Sequence, residues 1–386
     1  MPPSASSADS AWKDRIDERF TALRGCAALT VMLAHYQYVG LLPSLPVFKF
    51  SGQLAVMVFF FLSSFLLSHS LTKACLSGTG TLRALGDYAI NRVFRVFPSL
   101  IVVVTLSWRL GLAYFEPSAR YLDVLRSSVT LGKAPGPLWT IPVELTFYLY
   151  LPVVLAVALS LTRTRPGAGA AIVAFFAWCV GIAVARRIGA PVGAWMTLGF
   201  HHYANSFVGG VLLYALLHNR RIVFAGGGAA LGYAGLLLGG VAVPFVHDAV
   251  LRGDASMSEF ADPAAWRAYY DGVFPFAPLI VGAVVYGILH PGNTWLSRVL
   301  RARVLRRTGE LSFGVYLIHL PMIDLIGSRL GFATAIAATF ACAALLSRAV
   351  EKPAIAFGAR IRRALRFRQA PGASHWPIIM GDARAD

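Results

Sequence analysis

An all-α, polytopic integral membrane protein is the fold class this sequence predicts, with about ten transmembrane helices in one bundle, and three observations predict it. Apolar runs long enough to span a bilayer recur along the whole chain. Of its 386 residues 57% are hydrophobic and 14% charged, with a mean hydropathy of +0.63, whereas a soluble domain carries about a quarter charged residues. The cationic residues crowd onto alternate loops, which is a topology signal.

The ten runs are 23–42, 52–71, 97–115, 143–161, 168–185, 195–217, 223–246, 273–289, 311–327 and 330–347. The sixth is interrupted by His201, His202 and Asn205, and the eighth is short. With the N-terminus inside, the inner segments hold 24 Lys and Arg and the outer loops nine, Arg24 and Arg109 lying in span ends. This bias puts both termini in the cytoplasm. It also accounts for the net charge of +17 without nucleic-acid binding. The four cysteines, Cys26, Cys75, Cys179 and Cys342, show neither a disulfide framework nor metal spacing, so no metal is expected. No cleaved signal peptide is expected at the N-terminus. The chain reads as one membrane domain over 1–358, its first stretch to about residue 20 a flexible cytoplasmic lead. A basic cytoplasmic tail over 359–386, beginning ARIRRALRFR, suits the anionic inner leaflet. The longest outer loop, 247–271, is acidic and aromatic; it is either simply solvated or a surface on which sugars stack.

The stretch 20–36, FTALRGCAALTVMLAHY, organises the chain. Arg24 opens the first run and His35 follows eleven residues later. At 3.6 residues per turn they lie about 20° apart around a helix and about 16 Å apart along it, on one face at two depths. A histidine inside a span is costly unless it faces the bundle interior or a wet cavity, which makes His35 a candidate catalytic residue. A packed histidine bonded to a neighbouring helix is the other reading.

In the second run, GQLAVMVFFFLSSFLL, several aromatic residues suit a lipid face, while Ser63 and Ser64 are small residues that let helices approach. NRVFRVFP, 91–98, stands at the cytoplasmic start of the third run. Arg92 and Arg95, three apart, share a helix face and suit an anionic, phosphate-bearing ligand; plain positive-inside anchoring is the alternative. PLWTIPVELTFYLY, 137–150, enters the fourth run from outside, with Glu144 toward the outer end of an apolar helix. A carboxylate there must pair, protonate or face water, so it is a candidate site residue, a structural role being the alternative. Pro142 suits a helix start, and Trp139 and Tyr148 read as interface anchors. In GELSFGVYLIHLP, 309–321, His319 is expected to pack with its imidazole bonded to another helix, and it joins Ser63, Trp139, Tyr148 and Tyr316 as support around the site. RAVEKP, 348–353, reads as the terminator of the last span.

These motifs, in this order, resemble the membrane-bound acyltransferase-3 family. The resemblance rests on Arg24 and His35, the GxxxVxxFFxLSS run at 52–64, RxxRxxP at 92–98, LWTxPVExxFY at 138–148, LSFxVYLIHxP at 311–321 and the closing EKP, and it covers the transmembrane domain. FTALRG stands where the family often has LDGLRG, and LSS replaces LSG. The resemblance implies an O-acyltransferase, most often an O-acetyltransferase, of the cell inner membrane. Its donor co-substrate would be acetyl-CoA or another acyl-CoA, with no tightly bound cofactor. The acceptor would be a surface glycan such as lipopolysaccharide O-antigen or exopolysaccharide, or a lipid-linked sugar. By the same resemblance Arg24 and His35 form the essential pair and Arg92 and Arg95 the donor-binding basic motif. With the topology, this orders the site by depth: the three arginines at the inner face, His35 near the middle as general base, Glu144 toward the outer face. Acylation of a macrolide, or a transporter of a glycolipid intermediate without chemistry, are the rival expectations, and no motif bears on oligomeric state.

Overall fold

The structure is a computed structural model that describes residues 5–43, 51–77, 80–112, 120–130, 134, 136–187, 200–220, 228–239, 274–289 and 294–367. The described elements are helices, as expected, with no strand among the described residues. In chain order they are α1 (Ala5–Tyr38), α2 (Ser51–Leu76), α3 (Thr81–Leu110), α4 (Tyr121–Val129), α5 (Thr140–Leu161), α6 (Arg165–Arg187), α7 (Phe200–His218), α8 (Gly228–Leu237), α9 (Ala277–Leu289), α10 (Trp295–Val299), α11 (Arg303–Glu310), α12 (Ser312–Met322), α13 (Phe332–Leu346) and α14 (Lys352–Phe367).

Five helical segments are long and apolar enough to cross a membrane: Ser51–Leu76, Thr81–Leu110, Gly136–Leu161, Arg165–Ala185 and Phe332–Leu365. The pair Arg303–Glu310 and Ser312–Gly327, bent by 78°, makes a sixth if taken as one span. The chain is a multi-pass membrane protein. The described residues thus support five or six crossings by length and composition where the apolar runs suggested ten. Phe274–Leu289 is apolar but short, and the apolar stretch of α1 is interrupted by Arg24, His35 and Gln37. Loop 247–271 and the chain beyond 367 lie outside the described residues.

α1 packs against α2, α11 and α12, and α2 packs in turn on α7. Two glycines set the closest approach. A Cβ at Gly309 would overlap the backbone carbonyl of Thr21, and one at Gly25 that of Leu305. α1 and α11 therefore touch backbone to backbone, as small residues permit in a membrane bundle. Gly210 does the same for α2 and α7, where a Cβ would meet Ser64 Oγ and the Phe61 carbonyl. Ser64 accordingly has the close-approach role expected of it. α1 is also tied at its basic end, where the buried Arg19 donates to the carbonyl of Ile288, 2.7 Å away in the last turn of α9. A guanidinium there satisfies a carbonyl that has no partner within its own helix.

Several expectations change once the packing is visible. Phe60, Phe61 and Phe65 are buried rather than lipid-facing. Trp139, read as an interface anchor, is buried and stacks on Tyr203 with ring centroids 4.7 Å apart, inside a cluster that includes Phe60 and Phe207. Helix α1 is already formed at Ala5, in the segment read as a lead. RAVEKP does not end the last helix. Ser347–Glu351 is a π-turn that leads straight into α14, with the Lys352 N–H on the Ser347 carbonyl. That one-residue change of register accommodates Pro353, which has no N–H to give to the helix. The domain boundary expected at 358 thus falls inside α14, which lies against α3 through Phe357 and Phe94, ring centroids 5.6 Å apart.

Gly309→Ala is expected to lower stability by about 2–3 kcal/mol, because the clash is with backbone that cannot rotate away. Gly86→Ala in α3 is the control, since nothing lies within 4 Å of the added methyl, and it should change stability by no more than about 1 kcal/mol in the favourable direction. Thermal unfolding in detergent compares them; equal midpoints would refute the close approach.

Candidate active site

The register of α1 on α2 sets the level of each site residue. The two helices run antiparallel, with Phe20 against Phe65 at a ring separation of 5.4 Å and Ala34 beside Gly52. Arg24 therefore lies opposite the middle of α2 and His35 opposite its first turn. A small cavity of about 60 Å³ opens at the Arg24 level, lined by Arg24, Ser63, Thr140, Glu144, Ser312 and Tyr316 and walled by Phe59, Phe60 and Phe313. Glu144 reaches it because a 3-10 turn, Gly136–Trp139, carries the chain into the bundle before α5 begins. Ser63 donates to Glu144 Oε1 at 2.9 Å, and the Tyr148 hydroxyl, one turn further along α5, donates to the same oxygen. Tyr316 donates to the Pro137 carbonyl at 2.5 Å, which fixes that turn against α12.

Five charged groups meet here. Arg92, Arg95 and Glu144 are all near enough to act on Arg24 electrostatically. Arg92 lies over the Tyr148 ring, 5.8 Å from its centroid, and Arg95 pairs with Glu351 at 3.6 Å. Three guanidinium groups thus face two carboxylates, which leaves the cluster suited to an anion. Among the described residues Arg24 makes no hydrogen bond, and the buried Ser312 Oγ and Arg92 Nε have no hydrogen-bond partner either. Unfilled donors around a cavity are what a polar ligand requires.

The second level is a histidine pair. His319 is fully buried and His35 only partly so. His319 Nε2 stands 3.2 Å from His35 Nδ1, and the ring centroids are 4.9 Å apart. His35 Nδ1 is also 2.9 Å from the Val31 carbonyl, and His319 Nδ1 is 2.8 Å from that of Tyr316. Tyr316 links the two levels, since it lines the cavity and its ring stands 5.8 Å from that of His319. Arg24 and His35 consequently look onto one helix, α12, at its first turn and at its third.

Residues 17–348 match the family profile described as an acyltransferase domain, acyltransferase 3. The chain belongs to the acyltransferase-3 family. An O-acetyl transferase of Shigella phage Sf6 is 28% identical over 152 residues, 34% of this chain and 43% of that protein. A putative acetyltransferase of Acidianus two-tailed virus is 28% identical over 144 residues, 36% of this chain and 41% of that protein. Each match therefore spans less than half the length of these relatives. No solved structure matches the chain.

In this acyltransferase-3 protein the expected depth order is not the one observed. Glu144 is not set apart from Arg24; the two line one cavity, because α5 begins inside the bundle. Arg92 and Arg95 do not stand at the start of their helix. α3 begins at Thr81, well before the apolar run, and brings them to the Arg24 level. Ser63 bonds Glu144 rather than merely permitting close packing, and Tyr148 is a buried donor rather than an interface anchor. Ser312 and Thr140 were not singled out from the sequence. Ser312 had a signal, standing four residues before Tyr316 and seven before His319 on one helix face. Glu351 had none, since its partner is distant in sequence.

Ser63→Ala and Tyr148→Phe should each destabilise the protein by about 1–2 kcal/mol. Both remove a donor from the same carboxylate oxygen, so the double variant should depart from additivity by at least about 0.5 kcal/mol. Thermal unfolding of the four-member cycle measures this, and strict additivity would mean that the two hydroxyls do not share Glu144.

Proposed function

We propose that the protein transfers an acyl group, most simply acetyl, from cytoplasmic acyl-CoA to a hydroxyl of a carbohydrate acceptor, a surface glycan or a lipid-linked sugar, in the inner membrane. The observation that carries this reading is an arginine with no hydrogen bond of its own, facing a cavity on the same helix wall as a paired histidine. Family membership and the names of the two relatives support the reaction class.

In this reading Arg92, Arg95 and Arg24 hold the donor's phosphates by charge-assisted hydrogen bonds. The extended arm of the donor runs along α12 past Tyr316 and brings the thioester to His35, about 16 Å further along α1. The acceptor approaches the partly buried edge of His35. His35 Nε2 removes the hydroxyl proton as the oxygen attacks the thioester carbonyl carbon. The new C–O bond forms, the C–S bond breaks, and the leaving thiolate takes the proton from the imidazolium, so His35 returns neutral. Glu144 takes both hydroxyl donors on Oε1, and its charge acts on Arg24 across the cavity without a direct hydrogen bond.

The test is full-length protein in nanodiscs with radiolabelled acetyl-CoA and a glycan acceptor. Wild type should release free CoA and label the acceptor, while His35→Ala, folded by thermal unfolding, should lose about 100-fold or more in turnover. Arg92→Glu and Arg95→Glu should raise the donor KM about 10-fold or more with a smaller change in kcat. An active His35→Ala protein would remove the base, and unchanged donor kinetics would return the arginines to charge anchoring.

A further inference from the structure

We infer that His319 is a positioning residue that holds His35 in the tautomer whose Nε2 is free to accept a proton; this rests on the reading of His35 as the base. The assignment follows from which atoms around the two rings can only accept. His319 Nδ1 lies 2.8 Å from the Tyr316 carbonyl and 3.2 Å from that of Val315. Carbonyl oxygens donate nothing, so this nitrogen carries the proton, and Nε2 of the neutral ring presents a lone pair. That lone pair meets His35 Nδ1 at 3.2 Å. The other neighbour of His35 Nδ1 is the Val31 carbonyl at 2.9 Å, again an acceptor. His35 Nδ1 must therefore donate, in a three-centre bond to both. Its remaining nitrogen, Nε2, is left unprotonated.

The alternatives are excluded by the same contacts. A proton on His35 Nε2 instead would leave three lone pairs converging on one small space. A proton on His319 Nε2 would face the proton on His35 Nδ1 at hydrogen-bond distance and would turn His319 Nδ1 as a lone pair toward two carbonyls. The two partners of His35 are also unequal. Val31 lies on α1 itself, and its carbonyl already accepts the helical N–H of His35, so it moves with the ring. His319 comes from α12 and is enclosed on all sides, so it fixes the ring against a second, independent helix.

This arrangement also acts during turnover. When His35 takes the acceptor's proton on Nε2, its Nδ1–H becomes the donor of a cation, and the bonds to Val31 and His319 become charge-assisted. His319 then stabilises the imidazolium in the position that a carboxylate occupies in the better-known histidine pairs. Among the described residues neither ring pairs with a carboxylate, so the acceptor lone pair of His319 fills that position.

The experiment combines a spectroscopic and a kinetic arm on full-length protein in nanodiscs. Nitrogen-15 labelled histidine, with the His35 signals assigned by their loss in His35→Gln, should show His35 protonated on Nδ1 and bare on Nε2. In His319→Leu the Nε2–H form of His35 should appear. His319→Gln places an amide oxygen where the acceptor nitrogen stood and should keep turnover within about 10-fold of wild type, whereas His319→Leu should lose about 100-fold with donor KM little changed. Wild-type His35 found as the Nε2–H tautomer would overturn the inference, as would a Leu variant as active as wild type or a Gln variant as impaired as the Leu variant. The spectra of wild type and His319→Gln decide the matter even where His319→Leu fails to fold. An active His35→Gln enzyme would remove the base reading instead, while the spectra would still report the tautomer.

Discussion

The contact between α1 and α11 at Gly25 and Gly309 is the constraint from which the site follows. It locks the rotation of α1 by bringing backbone against backbone. With that rotation fixed, the stripe that carries Arg24 and His35 faces α2 and α12 instead of lipid. A polar helix can persist in a bilayer only if its polar groups are met inside the protein. α1 fails the apolar requirement for a free-standing span and is stable because neighbours on several sides enclose it.

Burying charge at the Arg24 level has a cost, and the surrounding groups offset it unevenly. Glu144 has two hydroxyl donors on one oxygen, and Arg95 has a carboxylate on α3's neighbour at Glu351. Arg24 has charges nearby but no hydrogen bond, and Ser312 has none. Breaking one partner of a buried pair is strongly unfavourable, so the satisfied residues are structural supports as well as site residues. The unsatisfied ones are where local packing rules are broken, which is where binding functions tend to lie.

What the sequence disclosed and what it withheld divide along a physical line. The common face of Arg24 and His35 was readable because helical periodicity is local and eleven residues span a near-integral number of turns. The helical class was readable from composition, and the role of Ser64 from its size. The levels of Glu144 and of Arg92 were not, because they depend on where α5 and α3 begin, and an apolar run marks the lipid-compatible part of a helix rather than its ends. Trp139 and Tyr148 have the composition of interface anchors, but the 3-10 turn before α5 carries them into an aromatic core. His319 was expected to bond another helix, and does; that its partner is His35 is a fact of tertiary register between α1 and α12.

A histidine partner for His35 suits its surroundings for an electrostatic reason. A carboxylate in the place of His319 would carry a full negative charge at rest, enclosed on all sides in a bundle whose other charges lie a level away. The effective cost of holding such an ion out of water is several kcal/mol even after relaxation. A neutral imidazole supplies the same acceptor geometry with no resting charge. In the proposed reaction, charge would appear on the pair only while His35 holds the acceptor's proton, and it would disappear when the leaving thiolate takes that proton. The arginine cluster, by contrast, is charged at rest, which in the proposed reading matches a donor that arrives charged. The two levels of the site thus separate a permanent electrostatic task from a transient one, and the turn-spaced face of α12 that joins Ser312, Tyr316 and His319 connects them.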